Sequence, residues 1–369
     1  MKRFVLLLFS VFYAVTSFAQ KPPQYAAVDK KVIQLTQKQT LTLEELVKVI
    51  SQNFTTPEDR TRAAFVWLTE NIAYDIQALY LTPSIGNNKY LIEQTLKTKK
   101  AVCEGYAEVF QTLCNQMGIK AYMVTGYTSL DNQVSSKAHA WCAAQVNGKW
   151  YLFDPTWGAG YVSEKAFTKH RNEQFFKAEP ASFAPTHFPS DPLWQFSTSP
   201  ITGREFAAGV SSLPKPRSCF QFKDTLAAYE KLDDHGRLLS TVRRMEAPGN
   251  FHPFLANHLL SLKSQIDYQN YLALSMAYNQ GIDLLNQFLY YRNNMLFGKK
   301  REAELKTLIT TSVSNFQAAK QRLDTVKWHS TQYEIGSIKD NLTKAYSLAL
   351  DQQKFINRIY DPLGLKKKN

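Results

Sequence analysis

Three residues with the chemistry of a nucleophile, a base and an orienting acid follow one another along the chain: Cys103, His139 and Asp154. In A-V-C-E-G-Y-A-E-V-F-Q-T-L-C-N-Q-M-G, apolar residues recur at helical spacing, and Gly118 ends the pattern. This pattern predicts a helix that begins at Cys103. Because the first N–H groups of a helix are unbonded and its dipole is positive there, a cysteine in this position is favoured as a thiolate.

The residues that position His139 and Asp154 form a second pattern. Asn147-Gly148, between two apolar runs, is a strong signal for a hairpin with a two-residue turn. The turn sets Val146 opposite Lys149 and fixes the register of both strands.

In that register Trp141 lies opposite Asp154, and His139 lies opposite Thr156. Because side chains alternate across a strand, His139 and Asp154 share a face and are diagonal neighbours, about 7–8 Å apart at their Cα atoms. An imidazole N–H reaches a carboxylate across that span. Cys142 points to the opposite face.

These placements predict a separate chemical role for each of the three residues. Asp154 holds the tautomer of His139, and the other ring nitrogen takes the proton from Cys103. Cys114 lies about 16 Å further along the same helix at 1.5 Å per residue, so it cannot bridge to Cys103. We expect no structural disulfide, with Cys114 to Cys142 as the one alternative that packing permits.

The segments around these residues resemble the transglutaminase-like superfamily, in its bacterial and kyphoscoliosis-peptidase-like branch. The matching motifs are V-C-E-G-Y-A, A-H-A-W and W-Y-L-F-D-P-T-W-G, with further likeness over 62–75 and 175–195. The resemblance covers roughly residues 58–205. It implies a papain-like fold, with the catalytic helix packed on an antiparallel sheet and a Cys-His-Asp triad in that order. One departure is Cys142, where the family usually has Asn or a similar polar residue. Because Cys142 points away from His139, we expect the triad to be undisturbed.

The predicted reaction is acyl transfer from an amide through a thioester on Cys103, whose backbone N–H is one oxyanion donor. A second donor is expected upstream, where Trp67 and Tyr74 are candidates. Together with Trp141 and Trp157, they are the predicted substrate-binding residues. Water as the acceptor gives a peptidase or amidase, and an amine gives a transglutaminase. The alternative is a catalytically silent module that binds envelope proteins or peptides.

The other histidines show no metal-ligand spacing with cysteines or carboxylates. The sequence contains neither a phosphate-binding glycine loop nor a nucleic-acid-binding module. We therefore predict no metal, no cofactor and no nucleic-acid partner, and a protein or peptide as the substrate. His187 lies in the family-like H-F-P stretch and is interpreted as structural.

The first residues have the pattern of a secretory signal peptide. Lys2 and Arg3 precede an apolar run over 4–15, and small residues lead to a cleavage point after Ala19. The apolar run is short for a membrane span. We expect a periplasmic or secreted protein without a transmembrane anchor after cleavage. The formal net charge of the full sequence is +13 and falls to +11 when Lys2 and Arg3 leave with the signal peptide. A positive surface suggests attraction to acidic envelope components.

Upstream of Cys103, residues 20–40 are predicted to be a polar leader. A helix is expected over 41–53 with Thr42 as its cap, and Thr56-Pro57 starts another.

The composition changes after residue 208. From 222 onward proline is rare and apolar residues recur every three or four positions, which predicts long helices at roughly 265–297, 299–323 and 332–359. The predicted fold class is α+β: a papain-like, transglutaminase-like core followed by a C-terminal α-helical bundle. The predicted parts are a signal peptide (1–19), a catalytic domain (20–208, core 58–205), a linker (209–221) and a helical domain (222–369).

Overall fold

The computed structural model of the protein describes residues 25–37, 41–78, 88–212, 219–247, 252–299, 302–329 and 335–360. They form two compact units: a mixed unit, which holds most of the chain up to Pro189, and a helical unit, which holds most of the chain from Pro216. Short stretches of the intervening chain belong to one unit or the other. The predicted signal peptide (1–19) and residues 213–218 of the predicted linker lie outside the described residues.

The helices that precede the main sheet of the mixed unit are α1 (Ala26–Thr36), α2 (Leu43–Asn53), α3 (Pro57–Asn71), α4 (Asn88–Thr98) and α5 (Cys103–Gln116). The predicted cap of α2 is confirmed: Thr42 Oγ1 accepts the Glu45 N–H at 3.2 Å, and the Glu45 carboxylate accepts the Thr42 N–H at 2.8 Å. Helix α3 begins as predicted, because Thr56 accepts the Asp59 N–H and Pro57 occupies the first turn.

Helix α1 shows that the prediction of a polar leader over 20–40 is wrong. Val28 and Val32 are buried, and α1 packs on α3. The polar sequence is misleading because one of its charges, Asp29, is itself buried in an ion pair.

That ion pair belongs to a buried network centred on Arg62, which is 1% exposed. The guanidinium donates to both oxygens of Asp29 at 2.7 and 2.6 Å and to Glu173 at 2.5 and 2.7 Å. It also lies over the rings of Tyr25 and Phe176. Burial works against the charge of Arg62, but the hydrogen bonds and charges of the two carboxylates raise its pKa above the usual value.

Arg62→Met is expected to lower the free energy of unfolding of the mixed unit by about 3 to 5 kcal/mol, because it removes the guanidinium that the buried Asp29 and the half-buried Glu173 share. Urea unfolding followed by tryptophan fluorescence measures the loss, since five of the six tryptophans belong to this unit. Lys48→Met, at an exposed position of α2, is the control and should shift stability by less than about 0.5 kcal/mol. Equal losses in the two variants would contradict a stabilising role for the network.

The remaining elements of the mixed unit are short strands, one main sheet and three short helices. Strands β1 (Ala73–Tyr74) and β2 (Lys100–Ala101) pair in parallel. The antiparallel main sheet has the order β4 (Gln133–Val134), β3 (Ala121–Leu130), β5 (His139–Val146), β6 (Lys149–Phe153), and β9 (His187–Pro189) also pairs with β3. Strands β7 (Gly160–Ser163) and β8 (Ala166–Lys169) form a hairpin. The short helices are α6 (Pro155–Ala159), α7 (Pro180–Phe183) and α8 (Gly203–Ala207), of which α8 has its last three residues in this unit.

Helix α5 packs on strand β5 of the main sheet. Phe110 contacts Phe153 with ring centroids 5.1 Å apart, and the Cys142 thiol donates to the Ala107 carbonyl at 3.2 Å. Gly105 allows the close approach of α5 to β2, since a Cβ there would lie 2.7 Å from the Cβ of Ala101. The predicted fold class, an α+β core with this helix on an antiparallel sheet followed by C-terminal helices, is confirmed.

The helical unit contains α9 (Phe222–Glu230), α10 (Asp234–Met245), α11 (Ala256–Asn293), α12 (Glu302–Thr325) and α13 (Ile335–Tyr360). The last three are the long helices that the sequence predicts, although α11 begins earlier than expected. Phe288 and Phe316 are fully buried in its core. Across the described ranges, no helix combines the length and the apolar character needed to cross a membrane.

Candidate active site

Cys103 is the first residue of α5, as the sequence predicts. The preceding Val102 is extended, and its carbonyl accepts the N–H groups of Gly105 and Tyr106 in the first helical turn. The side chain of Cys103 therefore projects at the positive end of a 14-residue helix. Only 9% of the residue is exposed, so a reacting thiolate would be largely shielded from water.

The hairpin that carries His139 has the predicted register. Asn147 and Gly148 form the turn with φ angles of 53° and 81°, and the pairs run from Val146 with Lys149 to Cys142 with Phe153.

The ladder ends at that last pair, so the predicted pairs of Trp141 with Asp154 and of His139 with Thr156 do not form. Pro155 has no N–H to donate to a ladder, and Asp154 instead caps helix α6.

Asp154 is completely buried and accepts four hydrogen bonds. Its Oδ1 accepts the backbone N–H groups of Thr156 at 2.8 Å and Trp157 at 3.1 Å. Its Oδ2 lies 2.7 Å from His139 Nε2 and 3.2 Å from His187 Nε2. Burial by itself raises the pKa of Asp154, but the charge and hydrogen bond of His139, followed by the hydrogen bond of His187, hold it below its usual range. The site therefore contains a fixed anion beside His139.

His139 connects this anion to the thiol. Burial lowers the pKa of His139, but the charge and hydrogen bond of Asp154, followed by those of Cys103, raise it to about 10. Because Nε2 is engaged by Asp154, Nδ1 is the ring nitrogen left for Cys103. The three residues thus lie in the sequence thiol, imidazole, carboxylate, an arrangement that can hold a thiolate–imidazolium pair.

The other cysteines lack such an environment. Cys142 and Cys114 are fully buried, and burial raises the pKa of both thiols. Cys142 contacts α5 on the face of β5 opposite His139, as the alternation of side chains predicts. All four cysteines of the sequence are described and are free thiols, and Cys219 is exposed.

Two of the four predicted substrate-binding residues lie beside His139. The ring centroid of Trp141 is 6.0 Å from that of His139, and the centroid of Trp157 is 5.8 Å from it. Trp141 is fully buried, whereas Trp157 is half-buried and so has surface to offer a ligand. Their contact with substrate stays a prediction.

The other two, Trp67 and Tyr74, lie on elements that precede Cys103. Trp67 is 1% exposed on α3, and the ammonium of Lys99 lies 4.7 Å above its ring. Tyr74 is half-buried on β1, opposite Ala101 of β2. Their role as substrate-binding residues or second oxyanion donors also stays a prediction.

His187 is a further neighbour of Asp154, and the sequence pattern does not place it at the site. It lies on β9, which pairs with β3, and its side chain reaches Asp154. Pairing between strands so far apart in the chain is not specified by any local pattern. The H-F-P motif was the only signal.

His139, Asp154 and His187 offer ligand-type atoms within 4.8 Å of one another, a set that could hold a metal ion. However, the facing atoms of the two imidazoles and the carboxylate already satisfy one another by hydrogen bonds. The hydrogen-bonded network accounts for these residues without an ion.

Comparison with known proteins agrees with this geometry. Residues 44–155, which include Cys103, His139 and Asp154, match the model of the transglutaminase-like superfamily. Kyphoscoliosis peptidase of Homo sapiens is 32% identical over 191 residues, which are 50% of this chain and 28% of that protein. Hillarin of Drosophila melanogaster is 25% identical over 218 residues, which are 54% of this chain and 26% of that protein.

The chain thus spans less than a third of the length of these relatives. A crystal structure of a TGase covers 43% of this chain and 37% of its own, with 19% identity and a TM-score of 0.26, which is too low to bear on the fold. The family match and the sequence identities do not depend on this structural comparison. Over residues 44–155 the chain is therefore similar to the transglutaminase-like superfamily.

Proposed function

We propose that the protein is an exported, cysteine-dependent amide-bond enzyme in which Cys103, His139 and Asp154 form a catalytic triad. The observation that carries the proposal is the position of His139, which is hydrogen-bonded to the buried Asp154 at 2.7 Å and to the thiol at the start of α5. No part of this arrangement is needed to hold the hairpin together, since its ladder and turn are complete without it.

The reaction would proceed through a thioester. The Cys103 thiolate attacks the amide carbonyl, and the backbone N–H of Cys103 stabilises the oxyanion, with a second donor sought at Trp67 or Tyr74. His139, as imidazolium, gives its proton to the leaving amine as the C–N bond breaks. It then takes a proton from the acyl acceptor, which attacks the thioester and releases the thiolate. Water as acceptor makes the protein a peptidase or amidase, and an amine makes it a transglutaminase-type acyltransferase.

The substrate we propose is a protein or peptide, and components of a cell envelope are the first candidates. The name of the peptidase relative supports a peptide bond as the target. Export is supported by the signal-peptide pattern over 1–19, and the formal charge of +13 favours acidic partners.

The proposal is tested first by the reactivity of the native thiols. At pH 6, iodoacetamide is expected to modify Cys103 before the exposed Cys219, because the imidazole hydrogen-bonded to Cys103 can take the proton of its thiol. Peptide mass spectrometry over time gives the rate at each site. Slower labelling of Cys103 than of Cys219, or preferential labelling of Cys142, would contradict the assignment.

Turnover is then sought with proteins, peptides and peptidoglycan fragments as acyl donors, with and without an added amine. Release of a new terminus or of ammonia identifies hydrolysis, and incorporation of the amine identifies transfer. A protein that binds these compounds with neither thiol reactivity nor turnover would be a silent binding module instead.

We further propose that residues 222–369 are a separable helical domain that contributes recognition or docking, joined through a linker at 209–221 to a catalytic domain at 20–208. The change in composition near residue 209 supports this division, and no nucleophile with a paired base is evident among the described residues beyond it.

Limited proteolysis is expected to cleave within 209–221 and to leave two folded fragments, identified by mass spectrometry and circular dichroism. Only the N-terminal fragment should retain the reactive thiol. Unfolding of that fragment after cleavage would mean that the two parts share one cooperative structure.

A further inference from the structure

His187 makes two polar contacts that the proposed reaction does not use. The residue is 2% exposed on β9, and its Nε2 lies 3.2 Å from Asp154 Oδ2. Its Nδ1 lies 2.8 Å from the hydroxyl oxygen of Thr186. Both ring nitrogens of His187 are therefore hydrogen-bonded. The contact with Asp154 is made at Oδ2, whereas the backbone N–H groups of α6 bind Oδ1.

The surroundings of His187 determine which of its ring nitrogens carries a proton. Burial is the main influence on His187 and lowers its pKa to about 4, so the ring is neutral at pH 7 and carries one N–H. An ionised carboxylate only accepts hydrogen bonds, so that N–H is on Nε2 and points at Asp154. Nδ1 then accepts the hydroxyl proton of Thr186. The charged groups that face His187 are Asp154 and His139.

Aromatic rings fix the orientation of His187. Ring centroids of Phe183, Trp157 and Trp141 lie 4.1, 4.8 and 5.1 Å from the imidazole centroid. A ring packed on these sides has little freedom to rotate, and the apolar faces exclude water from its hydrogen bonds. The Nε2–H of His187 is therefore held in a fixed direction by the surrounding rings.

We propose that His187 is a positioning residue for the acyl transfer assigned to Cys103, which acts by holding Asp154 in the orientation that serves His139. The inference rests on the proposed function. The His187 Nε2–H occupies one lone-pair direction of Oδ2, and the backbone amides of α6 hold Oδ1. The remaining lone pair of Oδ2 is thereby aimed at His139, and the anion is kept charged although it is buried.

The protonation state is tested in the parent protein by ¹⁵N NMR of labelled histidines. We expect His187 to be neutral with the proton on Nε2 between pH 5 and 8, and a scalar or through-space correlation to link that proton with Asp154. Titration near the ordinary value of 6.5, or a proton on Nδ1, would overturn the proposal without any variant.

Three variants separate the hydrogen bond from packing. His187→Phe fills the aromatic cage without a donor, His187→Gln keeps an N–H at a similar reach, and Phe183→Leu loosens the cage with the donor present. His187→Phe is expected to slow alkylation of Cys103 at pH 6 by about tenfold and to lower kcat by a similar factor with KM unchanged. His187→Gln should recover most of both losses, and Phe183→Leu, which loosens the cage but keeps the donor, should lose only a small part of either rate.

Two results would refute the positioning role: parent-like rates in His187→Phe, or an equal loss in Phe183→Leu. Alkylation requires no substrate, so this ranking is obtained even if no amide is turned over. If the alkylation rates follow this ranking but no amide is turned over, the proposed function is contradicted and the action of His187 on Asp154 is upheld. The pH dependence of alkylation adds a readout that packing alone does not move, since loss of the donor should shift its acid limb to higher pH.

Discussion

Cys103→Ala is expected to abolish turnover of every amide substrate, with a loss of roughly a million-fold in kcat, because no thioester forms without the nucleophile. The fold should be retained, since alanine is tolerated at the first position of a helix and the removed sulfur is small. The measurement is kcat against the best substrate found in the parent, together with circular dichroism and the urea midpoint of both proteins.

The chain offers matched controls for this variant. Cys114→Ala removes a thiol from the same helix, and Cys142→Ala removes one from strand β5. Both should retain turnover, although Cys142→Ala loses a buried hydrogen bond to Ala107 and is expected to cost about 1 kcal/mol of stability. Activity that survives Cys103→Ala but is lost with Cys142 would assign the nucleophile to the other face of the strand.

The hairpin was predictable because its register depends on two adjacent residues. Asn147 and Gly148 favour left-handed φ angles, and that local preference sets every pair of the ladder. The start of α5 at Cys103 was equally local, since helical periodicity and the stop at Gly118 define it. Where neighbouring residues determine the structure, the sequence is sufficient to place two of the three residues of the proposed triad.

The features that the sequence does not predict have a common physical cause, which is contact between distant parts of the chain. Helix α1 looks polar because Asp29 is buried only through its pairing with Arg62, 33 residues away. The position of His187 beside Asp154 is not visible in the sequence, because β9 reaches the site by pairing with β3. Asp154 looks like a ladder residue until Pro155 ends the strand and starts α6. Local propensity does not encode such partners.

The expected consequence of Asp154→Asn follows from its hydrogen bonds, because all four of them come from donors. If the amide oxygen of asparagine faces Thr156 and Trp157, its NH₂ group faces the two histidines. His139 must then present a bare Nε2 and carry its proton on Nδ1, where it cannot accept the proton of Cys103. If the amide rotates instead, its NH₂ group faces the two backbone N–H groups. In either orientation the NH₂ group of the asparagine therefore faces groups that are themselves hydrogen-bond donors in the parent.

Asp154→Asn is therefore expected to lower kcat by about 10⁴-fold, the loss that follows when a triad carboxylate becomes an amide and the imidazole takes the wrong tautomer. The buried donors left without an acceptor should cost about 1 to 3 kcal/mol of stability. The rate of Cys103 alkylation at pH 6 should fall as well, since the imidazolium that stabilises the thiolate loses its counter-ion. Thr156→Ala, which keeps the backbone N–H to Asp154, is the matched control and should retain activity.

The pH dependence of the same variant distinguishes an orienting carboxylate from a helix cap. In the parent the pKa of His139 is raised to about 10 from 6.5, so its contribution to stability is fully present below pH 6.5 and is lost as the pH rises toward 10. Without the Asp154 charge, burial dominates and the pKa of His139 falls, so this slope should vanish from denaturation measured at pH 6, 8 and 10. NMR titration of His139 follows the change directly. A His139 that still titrates near 10, with turnover and alkylation like those of the parent, would mean that Asp154 only caps α6 and that the imidazolium at Cys103 is stabilised by another group.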